Sequence, residues 1–172
     1  MDVVKLVGKY LNTPVGTVCY NTDKVFLQVL TTVLDKENIE GLATIILRLA
    51  AKSGVSMSNV QTLLSYQWLE YLSMYANQAH ANPAFAKTFL QGLNKGLQKN
   101  TFLTGNHLTI TDIAAYYTIY PMMERLTILE QESLVHLCRW IKHLQSKPKL
   151  CGNKPPLSLN TLNLSILAPA VH

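Results

Sequence analysis

The sequence predicts a mainly α protein, a small mixed α/β unit followed by an all-α helical bundle. Three observations carry this expectation. Apolar types make up 48% of the 172 residues and charged types only 15%, against about 25% charged in an average soluble domain. The chain can therefore bury a sizeable core and is neither a disordered polymer nor a solvated rod. From Val60 onward apolar residues recur at helical spacing, whereas the runs that read as strands, Thr17–Tyr20 and Lys24–Leu30, stand in the first third. At ~150 residues per domain, the length allows one ordinary domain or two small units sharing a core.

The elements are expected in this order. Val3, Val4, Leu6, Val7, Tyr10 and Leu11 stand at helical spacing, and Pro14 with Gly16 closes that helix in a turn. Thr17–Tyr20 and Lys24–Leu30 read as two strands of a hairpin around Asn21, Thr22 and Asp23. Ile39–Lys52 reads as a helix stopped by Gly54, and the Ser/Gly-rich stretch Ser53–Asn59 as a linker. Beyond it come helices over Val60–His80, Pro83–Gln98 with proline in the permitted first turn, from near Thr109, and over Glu132–Ser146. Pro148, Gly152, Pro155 and Pro156 then end regular structure, leaving a tail that either packs in extended form or stays mobile. The expected organisation is 1–54 for the N-terminal unit, 55–59 for the linker, 60–150 for the bundle and 151–172 for the tail.

The longest apolar stretch, Leu42–Ala51, is interrupted by Thr44 and Arg48, short of the ~20 apolar residues of a membrane span. Asp2, Lys5 and Lys9 leave no charged-then-apolar leader, so the mature protein is expected to begin near Met1. Cys19, Cys138 and Cys151 are too sparse for a disulfide framework and point to a reducing, cytosolic compartment. The net charge of +5 is unevenly distributed: six bases meet six acids up to Glu70. After Glu132 come Arg139, Lys142, Lys147, Lys149 and Lys154 with no acid among them. That favours an anionic partner near the C-terminal end, beside the plainer reading of a solubilising surface.

The sharpest local signal is Leu108-Thr109-Ile110-Thr111-Asp112-Ile113. A Thr109 hydroxyl can accept from the first turn while the Asp112 carboxylate reaches back to the Thr109 N–H, satisfying two orphan donors. Ile110, Ile113, Ala114 and Tyr117 form an apolar stripe behind it, so this helix is expected to be deeply buried.

In order and spacing, Gln67–Tyr71, Phe102-Leu103-Thr104-Gly105, this capping box, Arg139-Trp140 and Pro148 resemble the all-helical C-terminal domain of the glutathione transferase superfamily. The N-terminal part resembles a shortened thioredoxin-like half, with Glu40–Ile45 at the start of its third helix. Size, Gln67–Tyr71 and Leu137–Trp140 are most similar to the small auxiliary members of the multi-aminoacyl-tRNA-synthetase complex. The resemblance implies a non-catalytic scaffold of the translation apparatus. Its implied partners are aminoacyl-tRNA synthetases, methionyl-tRNA synthetase first, and sister scaffold proteins.

Transferase chemistry requires features that this chain lacks. No hydroxyl or thiol follows an expected first strand to lower the glutathione thiol pKa; Tyr10 and Cys19 are the nearest candidates. Phe26 falls where the family has a cis-proline, and a cis bond before a non-proline costs ~3 kcal/mol. Glu40-Gly41 keeps the acid of the γ-glutamyl-binding pair and loses its hydroxyl. Nor do the glycines form a nucleotide-binding loop, and Cys138 lies on a different helical face from His136 and His143, against a zinc reading with Cys151. His80 and His107, beside expected helix ends, read as exposed or internally satisfied. No catalytic, cofactor-binding or metal-binding residue is therefore expected. The competing readings are a divergent glutathione transferase and a basic tRNA-binding accessory, the latter weakened by the absence of aromatics among the lysines.

Two protein-binding surfaces are expected. On the last helix Leu134, Leu137, Cys138, Ile141 and Leu144 face the core, leaving His136, Arg139, His143 and Lys147 opposite. The resemblance implies that Arg139 pairs end-to-end with another scaffold member. It also implies a side-by-side contact through the N-terminal half, on Val25 and Leu27 of the second strand and Thr44 and Arg48 of the following helix.

Overall fold

The computed structural model describes residues 3–22, 28–151 and 154–159. Helix α1, Val3–Leu11, turns Val4 and Val7 inward. It leads into an antiparallel meander of β1 (Val18–Thr22), β2 (Gln28–Leu34) and β3 (Glu37–Glu40), in the order β1-β2-β3. The Thr32 hydroxyl donates to the Val15 carbonyl at 2.8 Å and ties the sheet to the segment after α1.

Two expectations are corrected here. Asn21 and Thr22 are not a turn but strand residues opposite Val29 and Gln28, so the second strand is Gln28–Leu34. Cross-strand pairing overrides their polar, turn-like composition. The part of the expected strand from Lys24 to Leu27, with Val25, Phe26 and Leu27, lies outside the described residues. Ile39 and Glu40, expected to open a helix, form β3 instead, joined to β2 by Asp35 and Lys36 at φ 54° and 69°. Two successive positive φ values match the right-handed twist of a two-residue hairpin.

Gly41, at φ 85°, turns the chain from β3 into α2 (Leu42–Lys52), a conformation that a side chain resists. The long α3 (Asn59–Ala81) begins with a reciprocal box: Gln61 N donates to Ser58 Oγ at 3.2 Å and Ser58 N to Gln61 Oε1 at 2.9 Å. Asn82 caps α4 (Pro83–Gly96) by accepting from Ala84 and Phe85. A Cβ at Gly96 would lie 2.4 Å from Cη2 of Trp68, so glycine sets the closeness of α3 and α4 there.

Helix α5 (Ile110–Met123) is the axis of the bundle, buried continuously from Ile110 to Tyr120. α1, α2 and α3 all pack on it. The helix expected over Glu132–Ser146 is α7 (Val135–Gln145), and a short α6 (Ile128–Glu132) that the sequence reading did not assign precedes it. Leu134, at φ −118° and ψ 39°, breaks the helical path between them while its side chain stays buried. Beyond α7 the described tail packs in extended form. The Gln145 amide exchanges hydrogen bonds with both backbone groups of Leu157 at 3.2 Å, and Tyr120 donates to the Pro155 carbonyl at 2.8 Å. The small antiparallel sheet and the helical bundle together give a glutathione-transferase-like architecture.

Candidate protein-docking surfaces

The α7 surface is positioned from inside by Asp112. The capping box at the start of α5 is formed. One Asp112 oxygen accepts from the Thr109 N–H and hydroxyl, both at 3.0 Å. The other accepts from the Leu103 N–H and from Trp140 Nε1, both at 2.9 Å. One carboxylate thus joins the loop before α5, the first turn of α5 and the middle of α7. Burial pushes its pKa up, against the pull of these donors.

The outer side of α7 is fastened to α4. Leu137 N donates to Asn94 Oδ1 at 3.0 Å and the Gln91 amide reaches Ser133 at 3.4 Å. Arg139 Nη2 donates to the carbonyls of Leu97 at 2.9 Å and Asn100 at 2.8 Å. The His143 ring meets the edge of Phe102 at 5.3 Å. Arg139 and His143 therefore hold the loop after α4 while remaining exposed. His136 is half-buried next to them; burial and then the Arg139 charge lower its pKa. Lys147 lies beyond the end of α7 and is half-buried. Of the four residues expected on this face, Arg139 and His143 share one seam with α4. The internal bonds of Arg139 could not be foreseen, because spacing along one helix does not report what a neighbouring loop offers it.

At the N-terminal half, Thr44 and Arg48 are exposed on α2. Arg48 is not a free cation: it pairs with Glu37 of β3 at 3.0 Å, a surface contact contributing roughly 0–1 kcal/mol. Lys52 of α2 pairs with Asp35 in the β2–β3 turn.

A third feature escaped the sequence reading. On α3, Ser65, Leu69, Leu72, Ala76 and Ala79 face the core. At 100° per residue, Val60, Leu63 and Met74 fall on the opposite side, with exposures of 67%, 71% and 66%, and Tyr66 flanks them at 41%. The signal is that α3 carries apolar residues on both faces, when one stripe suffices for a surface helix.

Among the described residues no group of three metal-capable side chains comes together. Cys138 is buried and its thiol is pushed up to about 11 by burial, leaving it a core residue. Gly41 gives the start of α2 no side-chain cap, Cys19 is exposed on β1 and Tyr10 packs partly into the core. Of the lysines considered for phosphate contact, Lys154 is committed internally, its ammonium lying 3.9 Å from the centre of the Tyr120 ring.

Comparison with known proteins places these surfaces in context. The family Arc1p_N_like, described as nuclear-export cofactor Arc1p, matches residues 61–148, half of the chain. Eukaryotic translation elongation factor 1 epsilon-1 of Cricetulus griseus is 31% identical over 117 residues, covering 66% of this chain and 67% of that protein. Its Homo sapiens counterpart is 29% identical over 115 residues, covering 64% and 66%. The matches thus span about two thirds of these relatives. Glutathione transferase YghU from Streptococcus pneumoniae, solved with glutathione, superposes with a TM-score of 0.55 at 20% identity, covering 72% of this chain and 59% of that one. At that identity the likeness concerns the fold.

Proposed function

Because the chain belongs to the Arc1p_N_like family, we propose that it is a non-catalytic scaffold subunit of the translation apparatus. It docks aminoacyl-tRNA synthetases, methionyl-tRNA synthetase first, and sister scaffold proteins in a multisynthetase complex. The observation that carries this reading is the group of exposed apolar residues in the first turns of α3, Val60, Leu63 and Tyr66, with Leu63 71% exposed opposite the core side of the same helix. Fully burying a side chain of this kind contributes roughly 1.5–3 kcal/mol, and exposed apolar patches mark interaction sites; exposed Gln67 and Glu70 separate Met74 from this group. The synthetase contact is assigned to the exposed apolar residues of α3 together with Thr44 and Arg48 of α2 and, by the family resemblance, Val25 and Leu27 in the sequence before β2. The α7 side, with Arg139, His136, His143 and Lys147, is assigned to the scaffold partner. Two surfaces on different helices let one small subunit bridge two proteins.

The same reading places the protein in the cytoplasm, with the nucleus as a second compartment suggested by the description of the family. A divergent transferase is disfavoured by the uncapped α2 start at Gly41 and by Phe26 in place of the expected proline. A tRNA-binding accessory is disfavoured by the internal use of Lys154. Affinity purification of the tagged full chain from its native cells tests the proposal. Synthetases should co-elute at physiological salt and survive nuclease treatment; recovery of tRNA without any synthetase would favour the accessory reading.

A further inference from the structure

At the end of the bundle away from the α7–loop seam, a cavity of about 120 Å³ opens between the C-terminus of α3, the start of α4 and the end of α5. Its floor is apolar: Ala79, Ala86, Leu90, Met122 and Leu126. His80, Lys87, Arg125 and Glu130 form the rim. Glu130 accepts from the Thr127 N–H and hydroxyl at 2.9 Å each, both on Oε2, and these bonds, with the Lys87 charge, hold its pKa below the usual carboxylate value. Among the described residues neither Lys87 nor Arg125 has an ion-pair partner. Beside the opening, Ile128 and Leu129 of α6 are 63% and 78% exposed. Neither the α3 stripe nor the α7 face uses any of these residues.

We propose that this end of the bundle is a further docking site, for a partner peptide segment that inserts one branched aliphatic side chain between acidic residues. Size selects the anchor. A cavity of about 150 Å³ holds benzene, so this one suits a leucine or isoleucine side chain and excludes an indole. Charge selects the flanks: Lys87 and Arg125 outnumber Glu130, the one carboxylate among the lining residues, so the rim is net positive and attracts carboxylates over a basic segment. Ile128 and Leu129 extend the apolar surface beyond the area a small acid could cover, which favours a peptide. The site is independent of the synthetase and scaffold surfaces, so it can fail while they stand, or stand while they fail.

The test is NMR titration of the full-length protein with the blocked peptide Glu-Asp-Leu-Asp-Glu. Saturable shifts are expected at Ala79, Leu90, Met122 and Leu126, with little change at Val60–Tyr66 or Arg139. A Lys87→Glu, Arg125→Glu double variant should weaken binding about tenfold or more. Ala86→Leu should block the peptide by filling the cavity, with the helical circular dichroism retained. Replacing the peptide leucine by tryptophan should also abolish the floor shifts. The proposal is overturned if Lys-Lys-Leu-Lys-Lys binds equally well, if 4-methylpentanoate alone binds as tightly as the peptide, or if the shifts map elsewhere. It is equally overturned if no saturable binding occurs or if both folded variants bind like the parent.

Discussion

Trp140 Nε1 donates to Asp112 Oδ1 at 2.9 Å, joining the middle of α7 to the start of α5 inside a fully buried pair. Asp112→Ala would leave three buried donors unpaired: the N–H groups of Leu103 and Thr109 and the Trp140 indole. At ~1–3 kcal/mol for each unsatisfied group, the loss should be about 3–5 kcal/mol after partial relaxation. Thr109→Ala keeps the carboxylate and should lose only about 1–2 kcal/mol. Thermal or urea melts of both variants measure this order; equal loss would mean that the Trp140 and Leu103 contacts contribute little.

Arg139 holds the loop after α4 in place. Arg139→Ala removes two hydrogen bonds that hold the carbonyls of Leu97 and Asn100. Amide hydrogen exchange should rise across residues 97–101 while the rest of the bundle keeps its protection, with a stability loss of about 1–3 kcal/mol for a charged donor. Both bonds leave the one nitrogen Nη2, and a lysine ammonium likewise carries several donors on one nitrogen, so Arg139→Lys should keep more protection than Arg139→Ala.

The thiols should separate by exposure and by pH. The thiolate is the reactive form, and with its pKa pushed up to about 11 by burial, Cys138 holds about one thiolate in a thousand at pH 8. Iodoacetamide at that pH should label exposed Cys19 and spare Cys138 until urea unfolds the chain. Rapid labelling of Cys138 in the folded state would contradict its core placement.

Glutathione should not be retained. The start of α2 offers a glycine in place of a hydroxyl, so glutathione-agarose should pass the purified protein and a standard electrophile should go unconjugated. Turnover abolished by changing Tyr10 or Cys19 would restore the enzyme reading.

The helical part was the more legible in sequence because its punctuation is local. Pro83 and Thr109 with Asp112 announce helix starts by chemistry within three residues; Ser58 with Gln61 carries the same kind of signal inside the stretch read as a linker. Strand β3 was hidden because its turn uses Asp35 and Lys36 at positive φ, where Asn-Gly or Asp-Gly would have signalled a hairpin. Helix α6 was hidden because its five residues are too few to show a helical period. For the docking surfaces, spacing gave the outer face of α7 but not the carbonyls that Arg139 reaches. It also gave no means of deciding which of the two apolar faces of α3 the bundle would leave uncovered.

The central claim is that separate surfaces on α3 and α7 hold different proteins. Its most direct measurement is capture of methionyl-tRNA synthetase and of the sister scaffold by Leu63→Asp and Arg139→Glu variants, each verified as folded by circular dichroism. We expect Leu63→Asp to weaken the synthetase by about 2 kcal/mol or more with the scaffold retained, and Arg139→Glu to do the reverse. Parent-level capture of both proteins by both variants, or simultaneous loss of both from either folded variant, would contradict the account.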